Sequence, residues 1–146
     1  MKTRWKLWLA LGVTVLWIAF IFARSLRNAD DSEAESGLVL DLLLKVFPFL
    51  TMHAVRKLAH FTEYFILGGL LYLDRRLMGR GPALLPLGAA LLTAAADEYI
   101  QTFVPGRSGQ LRDVLLDLFG AAAGIGAGLL LHRWKEAKRH RERREA

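Results

Sequence analysis

The stretch DVLLDLFGAAAGIGAGLLL, residues 113–131, decides how the whole chain reads. From Val114 to Leu131 it carries a single charged residue, Asp117. At 1.5 Å per residue those residues rise about 27 Å as a helix, close to the hydrocarbon thickness of a bilayer. Gly120, Gly124 and Gly128 recur every fourth position. Such a small-xxx-small ladder lets another backbone approach closely. Asp113 and Asp117 stand one turn apart and continue the same face. An acid within a membrane span costs several kcal/mol unless it faces protein or water. The aspartate face and the packing face therefore coincide, and both point into a helical bundle. Packing inside one bundle is the simpler use of the ladder, and a homo-oligomer is the other.

Working outward, three further apolar stretches appear. They run from Leu7 to Ala23, from about Val55 to Leu73, and from about Pro82 to Tyr99, where proline suits a helix start. None alternates with period two, so strands are disfavoured. The first could be read as a signal peptide, but it is longer than the usual apolar core of one and no small-x-small cleavage pair follows. The expected fold is an all-α integral membrane protein with four transmembrane helices, about 7–23, 55–73, 82–99 and 114–131. A long extracytoplasmic loop joins the first two. Residues 1–134 form this domain and residues 135–146 a basic tail.

Charge agrees with that layout. Net charge is +6 and hydrophobic residues make up 53% of 146, with mean hydropathy +0.27 and pI near 10.1. Thirteen of the 20 Lys and Arg fall at the amino end, in the link around Arg75, Arg76 and Arg80, and in the tail. Seven fall on the other side. The positive-inside rule then places both termini in the cytoplasm. Trp5, Trp8 and Trp134 suit the interface as aromatic anchors. Charge clustered beside apolar runs argues against nucleic acid as a partner. The chain has no cysteine, which excludes disulfides, zinc–thiolate sites and cysteine nucleophiles. Within the long connection, Gly37 to Leu50 is too short to span, and an interfacial helix or re-entrant segment is expected there.

In this topology the polar residues of three spans lie at the outer side. Arg56, His60 and Glu63 open the second, Asp97, Glu98 and Gln101 close the third, and Asp113 and Asp117 open the fourth. At 100° per residue, Arg56, His60 and Glu63 share an arc of about 60°. Between the last two spans runs Phe103-Val104-Pro105-Gly106-Arg107-Ser108-Gly109. Pro then Gly fits the centre of a type II turn, which would hold Arg107 and Ser108 over the cluster. The amino end of the fourth helix adds N–H groups suited to an anion.

The segments Arg56-Lys57-x-x-His60-Phe61-x-Glu63-Tyr64, Asp97-Glu98-x-x-Gln101-x-Phe103-Val104-Pro105-Gly106-Arg107 and Asp113-x-x-x-Asp117-x-x-Gly120 together resemble the VanZ-like family. The resemblance covers Arg56 to about Gly124, nearly half the chain. It implies a small bacterial multi-span membrane protein whose namesake raises resistance to the glycopeptide teicoplanin. It implies no defined reaction.

Several chemistries stay open. His60 with Glu63 suits a ligand pair or proton relay, or an internal hydrogen bond. Asp97, Glu98, Asp113 and Asp117 suit a hard divalent cation or an acid–base set. They also suit structural ion pairs with Arg56, Lys57, Arg107 and Arg112. Arg56 and Arg107 suit a bidentate grip on phosphate or carboxylate, with His60, Glu63 and Gln101 completing a ligand-binding set. Ser108 lacks the G-x-S-x-G pattern and the strand–turn–helix setting of a nucleophile. The leading expectation is an envelope protein that binds an anionic lipid or glycan group in an outward-facing polar pocket and modulates teicoplanin susceptibility. Membrane lipids, an envelope precursor or the glycopeptide are its expected partners. The alternative is an intramembrane enzyme acting on a lipid-linked phosphate or sugar, with His60, Glu63, Asp97, Glu98 and Asp117 as catalytic candidates. An ion-coupled transporter comes third, because four spans would require an oligomer.

Overall fold

The computed structural model describes residues 4–27, 37, 40–41, 44, 51–79 and 84–145. Among the described residues, four helices carry the architecture: α1 (Arg4–Ser25), α2 (Met52–Leu77), α3 (Leu85–Gln101) and α4 (Leu111–Glu145). No strand occurs among the described residues. The expected surface or re-entrant segment at 37–50 lies outside them apart from four positions, as does the expected helix start at Pro82.

Helix ends differ from the expected bounds for local reasons. α2 begins three residues early because Thr51 caps it, its Oγ1 accepting from the Ala54 N–H at 3.2 Å. α3 begins at Leu85 with Pro86 in its first turn, where the missing N–H costs nothing. α4 does not stop at Leu131. It continues through the basic tail to Glu145, helped by the i,i+4 pairs His132–Glu136 (3.1 Å), Lys138–Glu142 (3.9 Å) and Arg141–Glu145 (3.8 Å).

By length and composition, α1 and α4 are apolar enough to cross a membrane. α3 is shorter, at 17 residues. α2 is diluted by Arg56, Lys57, Glu63 and Asp74. The distribution of side chains is inside-out for water. Leu9, Leu16, Leu92, Phe119 and Leu130 are exposed, while Glu63, Asp97, Glu98 and Asp117 are buried. That arrangement suits an apolar surround, since water would reward the reverse.

The closest packing joins α2 to α4. A Cβ on Gly120 would lie 2.6 Å from the Phe61 carbonyl oxygen. One on Gly124 would collide with the Phe65 carbonyl, and one on Gly68 with the Ala121 backbone. Gly128 lies against the Tyr72 ring, 2.6 Å from such a Cβ. All three glycines of the ladder thus face α2 of the same chain. α1 packs on α2 and α3 but not on α4. The core between them is Ile21, Tyr64, Leu67, Ala90, Ala94, Val114 and Ala121, flanked by Trp17, Ile18, Phe22 and Leu71. Trp17 and Thr14 help pin α1 to α2. The Trp17 Nε1–H donates to the Glu63 carbonyl at 3.0 Å, and the Thr14 hydroxyl donates to the Asp74 carboxylate at 2.7 Å.

Candidate functional site

One end of the bundle gathers the carboxyl ends of α1 and α3, the amino ends of α2 and α4, and the loop between α3 and α4. The loop forms as its sequence predicts. The Arg107 N–H donates to the Val104 carbonyl at 3.1 Å, and Gly106 takes φ 75°. Only glycine takes that angle without strain, and a type II turn needs it at its third residue. The turn carries Arg107 back over the helix ends.

There a small cleft is lined by Arg24, Ser25, Arg56, Ala59, His60, Glu63 and Arg107. Three guanidinium groups and one carboxylate make its wall strongly cationic. The Arg24 Nε–H donates to Glu63 Oε1 at 2.9 Å, an ion pair with Glu63 only 11% exposed. The Arg107 Nη1–H reaches the Ser25 carbonyl at a long 3.5 Å. Its Nε is buried and has no acceptor among the described residues. Burial pushes the Arg107 guanidinium below its ordinary pKa. The charge of Arg56 and Arg24 pushes the same way, while Asp97 and Glu98 oppose it. An anion in the cleft would relieve that like-charge crowding.

Beneath the cleft the expected acids separate into groups. Lys57 pairs with Asp113. Glu98 is buried and accepts from the Gln110 backbone N–H at 2.7 Å. An internal carboxylate therefore serves the residue that leads into α4. Gln101 is buried and bridges α3's two acids, donating to Asp97 and Glu98 at 3.3 Å each. Asp97 also accepts from the Ser25 hydroxyl. Its neighbours are His60 and Asp117. One donor atom from each of these three residues lies within 4.8 Å of the others, with His60 Nδ1 and Asp117 Oδ1 3.8 Å apart. The cation candidates expected from sequence thus divide. Asp97 and Asp117 come together with His60, while Glu98 and Asp113 are engaged elsewhere.

Arg24 and Ser25 belong to this site and are absent from the set expected from sequence. Reading α1 as ending at Ala23 leaves them in the loop. Their signal is positional: if the second span begins at the outer side, the first must end there, so its last turn faces the same cluster.

The profile of the family described as VanZ/LLP1 matches residues 10–132. That range holds all four helices apart from the amino end of α1 and the tail of α4, and every residue of the cleft. The chain belongs to that family. No curated protein and no solved structure matches it.

Proposed function

We propose that this VanZ/LLP1 chain is a four-span protein of the cytoplasmic membrane, with both termini inside. Its cationic cleft opens at the outer face and takes the anionic group, phosphate above all, of an envelope lipid. By holding that group it alters the access of glycopeptides to their target and so changes teicoplanin susceptibility. The observation that carries this reading is the convergence of Arg24, Arg56 and Arg107 on one cleft, with Glu63 the only acid among its described lining residues. Guanidinium forks match phosphate geometry better than any other side chain. The cleft's place at the helix ends suits a headgroup whose tails stay in the bilayer. The basic extension of α4 supports the inward placement of the carboxyl end. An enzymatic reading with Glu98 or Asp97 as general base has less support, because both carboxylates already accept hydrogen bonds from within the chain.

The test uses dodecyl phosphate as the probe and the full chain in a neutral detergent. Arg107→Ala and Arg56→Ala should each weaken binding about tenfold or more, the worth of one charge-assisted contact. Glu63→Gln should tighten it, because the amide still accepts from Arg24 while the repelling charge is gone. Equal affinity for wild type and Arg107→Ala, or weaker binding by Glu63→Gln, would exclude the cleft as the anion site.

A further inference from the structure

We infer that His60, Asp97 and Asp117 form a binding site for one first-row divalent cation of the zinc type, directly under the arginine-lined cleft. This does not depend on the anion reading, and the two can fail separately.

Three independent observations meet here. The donor atoms of the three residues converge within 4.8 Å, although they come from three different helices. Asp117 is fully buried, and neither of its carboxylate oxygens has a hydrogen-bond partner among the described residues. The His60 Nδ1 is also buried and lacks one, 3.8 Å from Asp117 Oδ1. Buried polar atoms without partners cost about 1–3 kcal/mol each and are rare in native folds. A single cation would take His60 Nδ1 and an Asp117 oxygen as ligands together with an oxygen of Asp97.

The basic residues nearby do not serve this purpose. Arg24 bonds Glu63, Lys57 bonds Asp113, and Arg107 donates to the Ser25 carbonyl. Two carboxylates thus share a buried place with one imidazole. A proton held between Asp117 and His60 is the competing occupant, but it leaves the converging Asp97 carboxylate without a part and two acids facing each other.

The donor set selects the ion. One imidazole nitrogen and two carboxylate oxygens suit zinc or manganese, whereas magnesium and calcium take oxygen alone. Bonds of 2.0–2.2 Å in a tetrahedral shell set ligand atoms about 3.4 Å apart, so closing on an ion asks the side chains to move by about 1 Å. Asp97 is already oriented for this by Ser25 and Gln101, as ligating carboxylates usually are by an outer shell. Three protein ligands leave at least one position free, the pattern of an open zinc site. His60 also lines the cleft, so a ligand in the cleft lies beside that position.

The test loads the full chain, carrying no polyhistidine tag, with zinc in detergent, passes it through gel filtration and measures retained metal. A His132→Ala/His140→Ala background removes the histidines of the helical tail. About one zinc per chain is expected there. Asp117→Asn and His60→Gln should each lose at least nine-tenths of it, while Glu98→Gln and Asp113→Asn keep theirs. Cobalt loading should give visible absorption bands of a low-coordinate ion in the background protein, absent from His60→Gln. His60→Gln also keeps the test decisive if Asp117→Asn does not fold, because His60 stands at the cleft wall and its loss empties no sealed core position. Failure of the background protein to retain zinc would overturn the proposal. Equal retention by His60→Gln would do the same.

Discussion

Gly124→Val should leave almost no folded protein. The Cβ of any side chain at this position collides with the Phe65 carbonyl on α2 and comes within 3.0 Å of the Gly69 nitrogen. Both obstacles are backbone, so no rotamer change relieves the clash. The two helices must move apart along the closest contact in the bundle. Overpacking a core usually costs 1–3 kcal/mol where side chains can yield. Here the cost should exceed about 3 kcal/mol, a large part of the stability of a chain this size. Gly68→Val, facing the Ala121 backbone, should behave alike. Gly126→Ala and Gly12→Ala meet nothing within 4 Å and should be neutral or slightly stabilising. Membrane protein level and thermal aggregation in detergent separate the two sets. Wild-type stability of Gly124→Val would mean that α2 and α4 do not pack as described.

Arg24→Met should destabilise the chain by about 1–2 kcal/mol, since Arg24 is 35% exposed, and adding Glu63→Leu should restore most of the loss. The single change leaves the Glu63 carboxylate, 11% exposed, without its 2.9 Å partner. Stranding the largely buried carboxylate of this half-buried pair is worse than deleting both charges, because its desolvation cost remains after the attraction has gone. The double variant replaces the pair with apolar side chains of similar reach and removes that cost. Thermal melts of wild type, both single variants and the double variant measure the coupling. Recovery of stability without recovery of phosphate affinity would separate the structural role of Arg24 from its place in the cleft. Purely additive effects would show that Arg24 and Glu63 do not depend on each other.

Much of this fold is legible in the residues themselves. The four-residue glycine spacing in 113–131 names a packing face, and the structure seats that face on α2. Pro105-Gly106 names a type II turn, and Gly106 takes the required positive φ. The gathering of His60, Asp97 and Asp117 follows from placing the polar ends of three helices on one side. What stays hidden depends on partners far apart in sequence. Asp97 receives one of its hydrogen bonds from Ser25, 72 residues away, and Asp74 receives one from Thr14, 60 residues away. No periodicity marks a lone Thr or Ser in an apolar run as the partner of a distant acid. The diversion of Glu98 to the Gln110 N–H is likewise invisible in spacing. It depends on the loop folding tightly enough at Gly109 that a Cβ there would lie 2.6 Å from the Glu98 carbonyl.

The proposed function requires the cationic cleft to face outward and to hold a phosphate group. Because the chain has no cysteine of its own, a single Ser108→Cys substitution, one residue from Arg107, reports on both properties. The measurement is its labelling rate by a membrane-impermeant maleimide in intact cells with the outer barrier removed, with and without added dodecyl phosphate. Ala137→Cys in the tail of α4 serves as the inward control. The account predicts prompt labelling at position 108 that dodecyl phosphate slows, and labelling at position 137 only after lysis. Labelling at 108 only after lysis, or at a rate indifferent to dodecyl phosphate, would contradict it.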